Sequence, residues 1–158
     1  MYERNSLNKE LSTLGMYLEK IKNYTIKKRI IHLLDWYIRK ATFYKNLYYF
    51  LSVIIIAINA LIPVIIQIKF HYYNNVTSII SALASVFTSV ITLFTMKDTW
   101  HRYRKSAELI KKECMLFSIN FGEYEKEANK EELLLSNIEM IISNERDDWE
   151  LKFVKDKK

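Results

Sequence analysis

Two long stretches without a charged residue restrict most strongly how this chain can fold. Residues 47–68 and 76–96 contain no Asp, Glu, Lys or Arg. As helices that rise about 1.5 Å per residue, each would reach about 30 Å, the thickness of a bilayer's hydrocarbon core. We predict transmembrane helices at 47–68 and 76–96, and residues 69–75 as a short external turn that forces an antiparallel hairpin.

A soluble bundle that buries both stretches is the main alternative. A helix that is apolar all round needs covering on every side, and the remaining residues could hardly provide such a shell. A signal peptide is not expected either, because the first apolar stretch begins only at residue 47 and is too long for a signal h-region.

The rest of the chain is expected to be helical. Two glycines and one proline are too few for the regularly spaced turns of a β protein. The predicted fold class is therefore all-α, with a two-helix transmembrane hairpin whose helices extend into a cytoplasmic helical bundle. Residues 1–46 and 97–158 would form that bundle.

Charge placement gives the orientation. The net charge is +6, and its basic excess lies just before the first apolar stretch and just after the second. This placement favours a membrane protein with both termini in the cytoplasm over a nucleic-acid binder. The basic residues expected at the membrane surface are Lys45, Lys97, Arg102, Arg104 and Lys105. A composition rich in Ile, Lys, Asn and Tyr indicates a bacterial protein, and hence the inner membrane.

Apolar residues at helical spacing continue from both spans into the flanking regions. Before and into the first span these are Ile30, Leu34, Tyr37, Ala41, Tyr44, Tyr48 and Leu51. After the second span a heptad pattern runs through Trp100, Tyr103, Ala107, Ile110, Cys114, Phe117 and Phe121, up to a possible helix stop at Gly122. We expect each span to be the end of one long helix, and the heptad to serve oligomer contacts or cytoplasmic packing.

Two further stripes predict an N-terminal and a C-terminal helix. They consist of Leu7, Leu11, Leu14, Leu18 and Ile21, and of Leu135, Ile138, Ile142, Trp149 and Phe153, the second broken at Glu145. Residues 20–45 carry eight basic groups against one acidic, and residues 123–150 carry ten acidic against three basic. These segments either pack together, within one chain or between subunits, or form separate solvated faces.

Hydroxyl groups form a stripe along the second span. It consists of Ser78, Ser81, Ser85, Thr88, Thr92 and Thr95, at alternating steps of three and four. Such residues allow close helix packing and can bond to their own helix. The complete stripe equally predicts a polar wall of a water-filled path between several copies.

In the first span, Asn59 precedes Pro63 by four residues. Proline lacks the N–H that the Asn59 carbonyl would accept, so a kink or a hydrated break is expected there. An amide near mid-membrane is costly unless it faces protein or water, and Asn59 should therefore point inward.

No enzyme, metal or cofactor motif is present. Cys114 is the single cysteine and lies on an apolar stripe, and the three histidines have no Cys or carboxylate at ligand spacing. The two glycines cannot build a phosphate-binding loop. We expect neither catalysis nor a bound cofactor.

A W-x-x-Y-R-x-x-A-E run follows the second span, with Trp100, Tyr103, Arg104, Ala107 and Glu108 in its fixed positions. Together with Gly122 and Tyr124, this segment resembles the SLATT superfamily, bacterial two-transmembrane domains associated with SMODS nucleotidyltransferases and SLOG domains. The resemblance covers most of residues 30–150. It implies a membrane effector, of a kind proposed to form pores, in bacterial conflict or nucleotide signalling.

Two functions remain open at this point. One is an oligomeric membrane effector or channel, held closed or triggered through its cytoplasmic helices by a separate cytoplasmic regulatory protein. The other is a non-conducting scaffold or adaptor that recruits cytoplasmic partners. The expected partners are the lipid bilayer and further copies of the chain.

Overall fold

The computed structural model describes residues 10, 12, 15–68 and 73–155, without the side chains of Tyr73 and of residues 148–155. All regular secondary structure in that part of the chain is helical, which confirms the all-α prediction. Residues 15–18 are helical, and the helices that follow are α1 (Tyr24–Ile68), α2 (Tyr73–Leu93), α3 (Met96–Ile119), α4 (Glu123–Lys126) and α5 (Lys130–Lys155). Leu7, Leu11, Leu14, residues 69–72 and the side chains of Trp149 and Phe153 lie outside the described part.

Helix α1 is a single helix of 45 residues, as the continuous apolar spacing predicts. Its start is capped by Asn23, whose Oδ1 accepts the backbone N–H groups of Thr25 at 2.9 Å and Ile26 at 3.3 Å. The helix continues without interruption through Pro63 to Ile68. It therefore has no break at Pro63, and the kink stays a prediction.

The expected continuous helix after the second apolar stretch is wrong at two residues. Phe94 and Thr95 form a turn between α2 and α3, and Thr95 has a left-handed φ of 41°. The Thr95 N–H bonds to the Thr92 carbonyl at 3.1 Å, three residues back, in place of the α-helical bond four residues back. No Gly or Pro marks this position, so no local residue pattern predicts the turn.

Helix α3 ends slightly before the predicted stop at Gly122. Asn120 is left-handed, with φ 58°, and the N–H of Phe121 bonds to the Leu116 carbonyl at 3.1 Å. This is a Schellman motif with Asn in the left-handed position. Gly122, with φ 71°, instead precedes the short helix α4, and Phe121 lies beyond the end of α3.

The chain divides into two compact units. The bundle unit contains the described residues of Met1–Lys40 and Arg102–Lys158, and the hairpin unit contains those of Ala41–His101. The bundle unit has a core of buried apolar side chains from every one of its helical segments. Its members are Leu18, Ile21, Ile26, Ile30, Leu34, Tyr37, Ile38, Ala107, Ile110, Cys114, Phe117, Tyr124, Leu134 and Ile138.

Most residues of the heptad stripe of α3 belong to this core. Ala107, Ile110 and Cys114 are fully buried, and Tyr103 packs against the core. These residues therefore pack within the chain, and oligomer contacts through the heptad stay a prediction.

The basic part of α1 and the acidic helix α5 pack together within one chain. Arg29 Nε donates to Glu139 Oε1 at 2.7 Å, and Glu131 accepts the backbone N–H groups of Lys22 at 2.6 Å and Asn23 at 3.1 Å. Glu131 therefore helps to satisfy amides at the start of α1, where the helix dipole favours a negative charge.

The apolar stripe of α5 differs from the prediction at one position, since Ile138 is buried and Leu135 and Ile142 pack against the core as expected, but the most buried leucine is Leu134. Leu134 is the fully buried partner of Ile138, whereas Leu135 is only half-buried. Because residues 133–135 are all leucine, the sequence does not show which of them faces the core. The helix itself continues past Glu145, where its stripe was expected to break.

Candidate functional site

The hairpin unit exposes the most apolar helices of the chain. Only 6% of the most apolar 18-residue window of α1 and 11% of that around α2 are buried. The core helix of a soluble protein would be mostly covered. By length and composition both helices could cross a membrane, and their open apolar surface suits lipid better than water.

Each helix of the hairpin unit has one face with reduced exposure. On α1 that face consists of Tyr44, Tyr48, Leu51, Ile55, Ile58, Ile62 and Ile65, and on α2 it consists of Ile80, Ala84, Phe87 and Ile91. Both sets follow steps of three and four. Because only four residues separate the two helices in sequence, we infer that they are antiparallel and that these faces pack against each other.

The hydroxyl stripe of α2 lies off this packing face. Ser78, Ser81, Ser85, Thr88 and Thr92 are all exposed in the single chain. At about 100° of rotation per residue, the centre of the stripe is displaced by about 100° from the centre of the packing face. Thr95, predicted as its last member, lies in the turn after α2.

Asn59 lies on the same side of the hairpin. It is exposed and displaced by about 60° from the packing face of α1, in the same rotational sense as the stripe on α2. In an antiparallel pair, rotations of the same sense away from the packing faces point to the same side of the pair. Asn59 and the hydroxyl stripe therefore lie on one side. Asn59 is about 14 Å from the end of α1, and Ser81 and Ser85 are about 12 and 18 Å from the start of α2. The three therefore lie at similar depth.

We call this surface the polar side, defined by Asn59, Ser78, Ser81, Ser85, Thr88 and Thr92. A single chain leaves Asn59 uncovered, so its predicted inward orientation would require a further molecule or water.

Four hydroxyls of the polar side bond to their own helix. Each donates to the carbonyl four residues back: Ser78 to Asn74 at 2.8 Å, Ser85 to Ser81 at 3.0 Å, Thr88 to Ala84 at 2.9 Å and Thr92 to Thr88 at 2.9 Å. This satisfies the hydroxyl hydrogens without water. Their oxygens keep lone pairs that can still accept a hydrogen bond from water or a neighbour.

The predicted membrane-surface basic residues differ in their surroundings. Lys45, Lys97 and Lys105 are exposed. Arg104 is held by Glu10 at 2.9 Å and Glu108 at 2.8 Å. Arg102 has Nε and Nη1 buried without a hydrogen-bond partner. Of the five, Arg104 is therefore ion-paired and Arg102 is partly buried, whereas the other three side chains are exposed.

Glu10 forms a further ion pair with Lys111 in the bundle unit. Burial alone would raise the pKa of Glu10, but hydrogen bonds from Lys111 and Arg104 outweigh it, and the net pKa lies below 4.5. These contacts join the N-terminal segment to α3.

A second polar contact lies inside the bundle unit. The buried Tyr124 donates its hydroxyl to Glu113 Oε2 at 2.7 Å, and Asn137 Nδ2 donates to the Tyr124 hydroxyl at 3.2 Å. Burial, followed by the bond to Glu113, raises the pKa of Tyr124. Sequence reasoning missed this group because its members come from α3, α4 and α5 and share no motif.

The described residues contain no set of three His, Cys, Asp or Glu side chains able to hold a metal ion. Burial raises the pKa of the Cys114 thiol to about 12, so this side chain stays protonated in the core.

A model of the family described as protein of unknown function DUF4231 matches residues 32–132, more than half of the chain. No curated protein and no solved structure matches this chain.

Proposed function

The chain belongs to the DUF4231 family, and we propose that it is an oligomeric bacterial membrane protein that forms a water-filled path through the inner membrane. In this proposal residues 47–68 and 76–96 cross the bilayer and the bundle unit lies in the cytoplasm. The exposed Lys45, Lys97 and Lys105 favour this orientation, because basic residues at span ends remain inside.

The observation that carries the proposal is the polar side of the hairpin. A lone hairpin in lipid would place Asn59 and a row of hydroxyls against hydrocarbon, where an amide without partners is costly. Further copies of the chain remove these groups from lipid. In a ring of copies whose polar sides face the centre, the Asn59 amide and the hydroxyls would also contact water.

Substitutions on the polar side test the path. Ser85→Leu and Thr88→Leu place a larger apolar wall there, and each should block ion or solute flux in liposomes by dewetting while the oligomer still forms. Ser85→Ala removes the hydroxyl but keeps a small side chain, and serves as the control. Intact oligomers with normal flux in both Leu variants would exclude the polar side as the wall.

A non-conducting scaffold is the second candidate, and the bonds from hydroxyls to their own helix favour it. Because Ser85, Thr88 and Thr92 already have acceptors, the polar side can pack dry against another helix. In that case the Leu variants overfill a close contact at a cost of about 1–3 kcal/mol, and oligomers and function are lost together. A scaffold also gives no flux under any activating condition.

The orientation has its own test. Reporters that work only in the cytoplasm should be active when fused at residue 1 and at residue 158. A reporter that works only outside and is active at either end would overturn the topology.

The cellular role rests on the resemblance to the SLATT superfamily. It points to an effector in a conflict or nucleotide-signalling system, with a separate cytoplasmic regulatory protein that acts on the bundle unit. Flux that begins only when such a protein is added to the liposomes would agree with this role.

A further inference from the structure

The turn between α2 and α3 is made by a residue poorly suited to it. Thr95 has a φ of 41°, in the left-handed region. A β-branched side chain is crowded in that conformation and rarely adopts it. In the described residues the other left-handed positions are Asn120, with φ 58°, and Gly122, with φ 71°. Asn and Gly are the residues that tolerate this region best.

The contrast separates two kinds of helix end. At the end of α3 the residue type favours the left-handed conformation, and a Schellman motif satisfies the carbonyls. At the end of α2 the residue type opposes it. The sequence on both sides of Thr95 is otherwise suited to one uninterrupted helix, since no Gly or Pro occurs from Asn74 to Phe121.

Local contacts hold the turn in its broken form. Met96 and Thr99 are buried, and the Thr99 hydroxyl faces the Phe94 carbonyl at 3.5 Å, a long hydrogen bond. The Thr99 N–H bonds to the Thr95 carbonyl at 3.0 Å and starts the next helix. The broken form is therefore held by a few contacts against a backbone that prefers to continue as a helix.

We propose that Phe94 and Thr95 form a two-state hinge, in which α2 and α3 alternate between the broken arrangement and one continuous helix. Closing the turn into a helix would change the direction in which α3 leaves α2. The hinge goes beyond the proposed path and does not depend on it, because it concerns the backbone alone.

Distances between spin labels in lipid nanodiscs test the hinge. Labels on Val86→Cys and Lys105→Cys, both exposed positions, are introduced with Cys114→Ala, and labelled chains are diluted with unlabelled ones. A continuous helix would place the two backbones about 29 Å apart, and any bend at the turn would shorten that distance. We expect the unaltered turn to give both distances.

Substitutions at Thr95 should move the two populations in opposite directions. Thr95→Gly removes the crowded Cβ and should raise the broken population relative to the continuous one about tenfold, whereas Thr95→Ala should favour the continuous helix. Thr95→Val keeps the branched shape without the hydroxyl and should match Thr95.

If the unaltered protein, Thr95→Gly and Thr95→Ala all gave the same single distance, the turn would be rigid and the hinge would be overturned. A Val variant that behaves like Ala would also overturn it, since the hydroxyl rather than backbone crowding would then control the turn. Neither readout uses flux, so failure of the hinge is distinguishable from failure of the proposed path.

Discussion

Replacing Leu134 with alanine tests which face of α5 packs into the bundle unit. Leu134 is fully buried and belongs to the core, whereas the adjacent Leu135 is half-buried. The change removes the equivalent of three buried methylene groups, worth about 2.4 kcal/mol of transfer free energy at about 0.8 kcal/mol each. A partly unfilled cavity raises the expected loss of stability to about 3–4 kcal/mol.

Hydrogen exchange of the full chain in nanodiscs measures this loss where it occurs. Amides of α3 and α5 that exchange by opening of the bundle should exchange roughly 100- to 1,000-fold faster in Leu134→Ala, because each 1.4 kcal/mol is a factor of about ten. Leu135→Ala is the matched control, and we expect about 1 kcal/mol from it. Equal effects, or a larger effect for Leu135→Ala, would refute the register of α5.

Two further predictions concern polar contacts in the bundle unit. Tyr124→Phe removes the shorter of two hydrogen bonds that Glu113 Oε2 accepts, and leaves the one from Asn137 Nδ2 at 3.3 Å. It should destabilise the unit by about 1–3 kcal/mol in the same assay, whereas Tyr24→Phe, at a residue 74% exposed, should have no effect. Because the pKa of Glu10 is lowered in the fold, its ion pair with Lys111 stabilises the fold above about pH 4.5 and is lost as the pH falls through the lowered pKa. Exchange at residues 15–18, corrected for its intrinsic rate, should therefore rise between about pH 6 and about pH 3, and Glu10→Gln should remove that pH dependence.

Helical spacing predicted much of this fold because it records which side chains share a face. Ala107, Ile110 and Cys114 are buried together as their heptad spacing requires. The register of α5 was not predictable in the same way. Three consecutive leucines satisfy the pattern almost equally, and only packing against other helices selects Leu134.

The turn at Thr95 and the Tyr124 hydrogen bonds were beyond sequence reasoning for different reasons. The turn opposes local preference and is held by burial of Met96 and Thr99, which no local pattern reveals. The Tyr124 group joins separate helices. For the candidate site, spacing predicted that the hydroxyls of α2 share a stripe. Spacing alone could not show that the stripe avoids the packing face and lies on the same side as Asn59. The burial pattern of both helices was needed for that.

Thiol accessibility in the membrane tests the water-filled path most directly. Ser85→Cys on the polar side is compared with Leu83→Cys, an exposed position on α2 outside it, each with Cys114→Ala. A water-soluble thiol reagent that does not cross lipid should modify the cysteine at 85 and leave the one at 83 unmodified, because thiolates form in water and not in hydrocarbon. Equal modification at both positions, or protection of both in conducting protein, would contradict a water-filled path along the polar side.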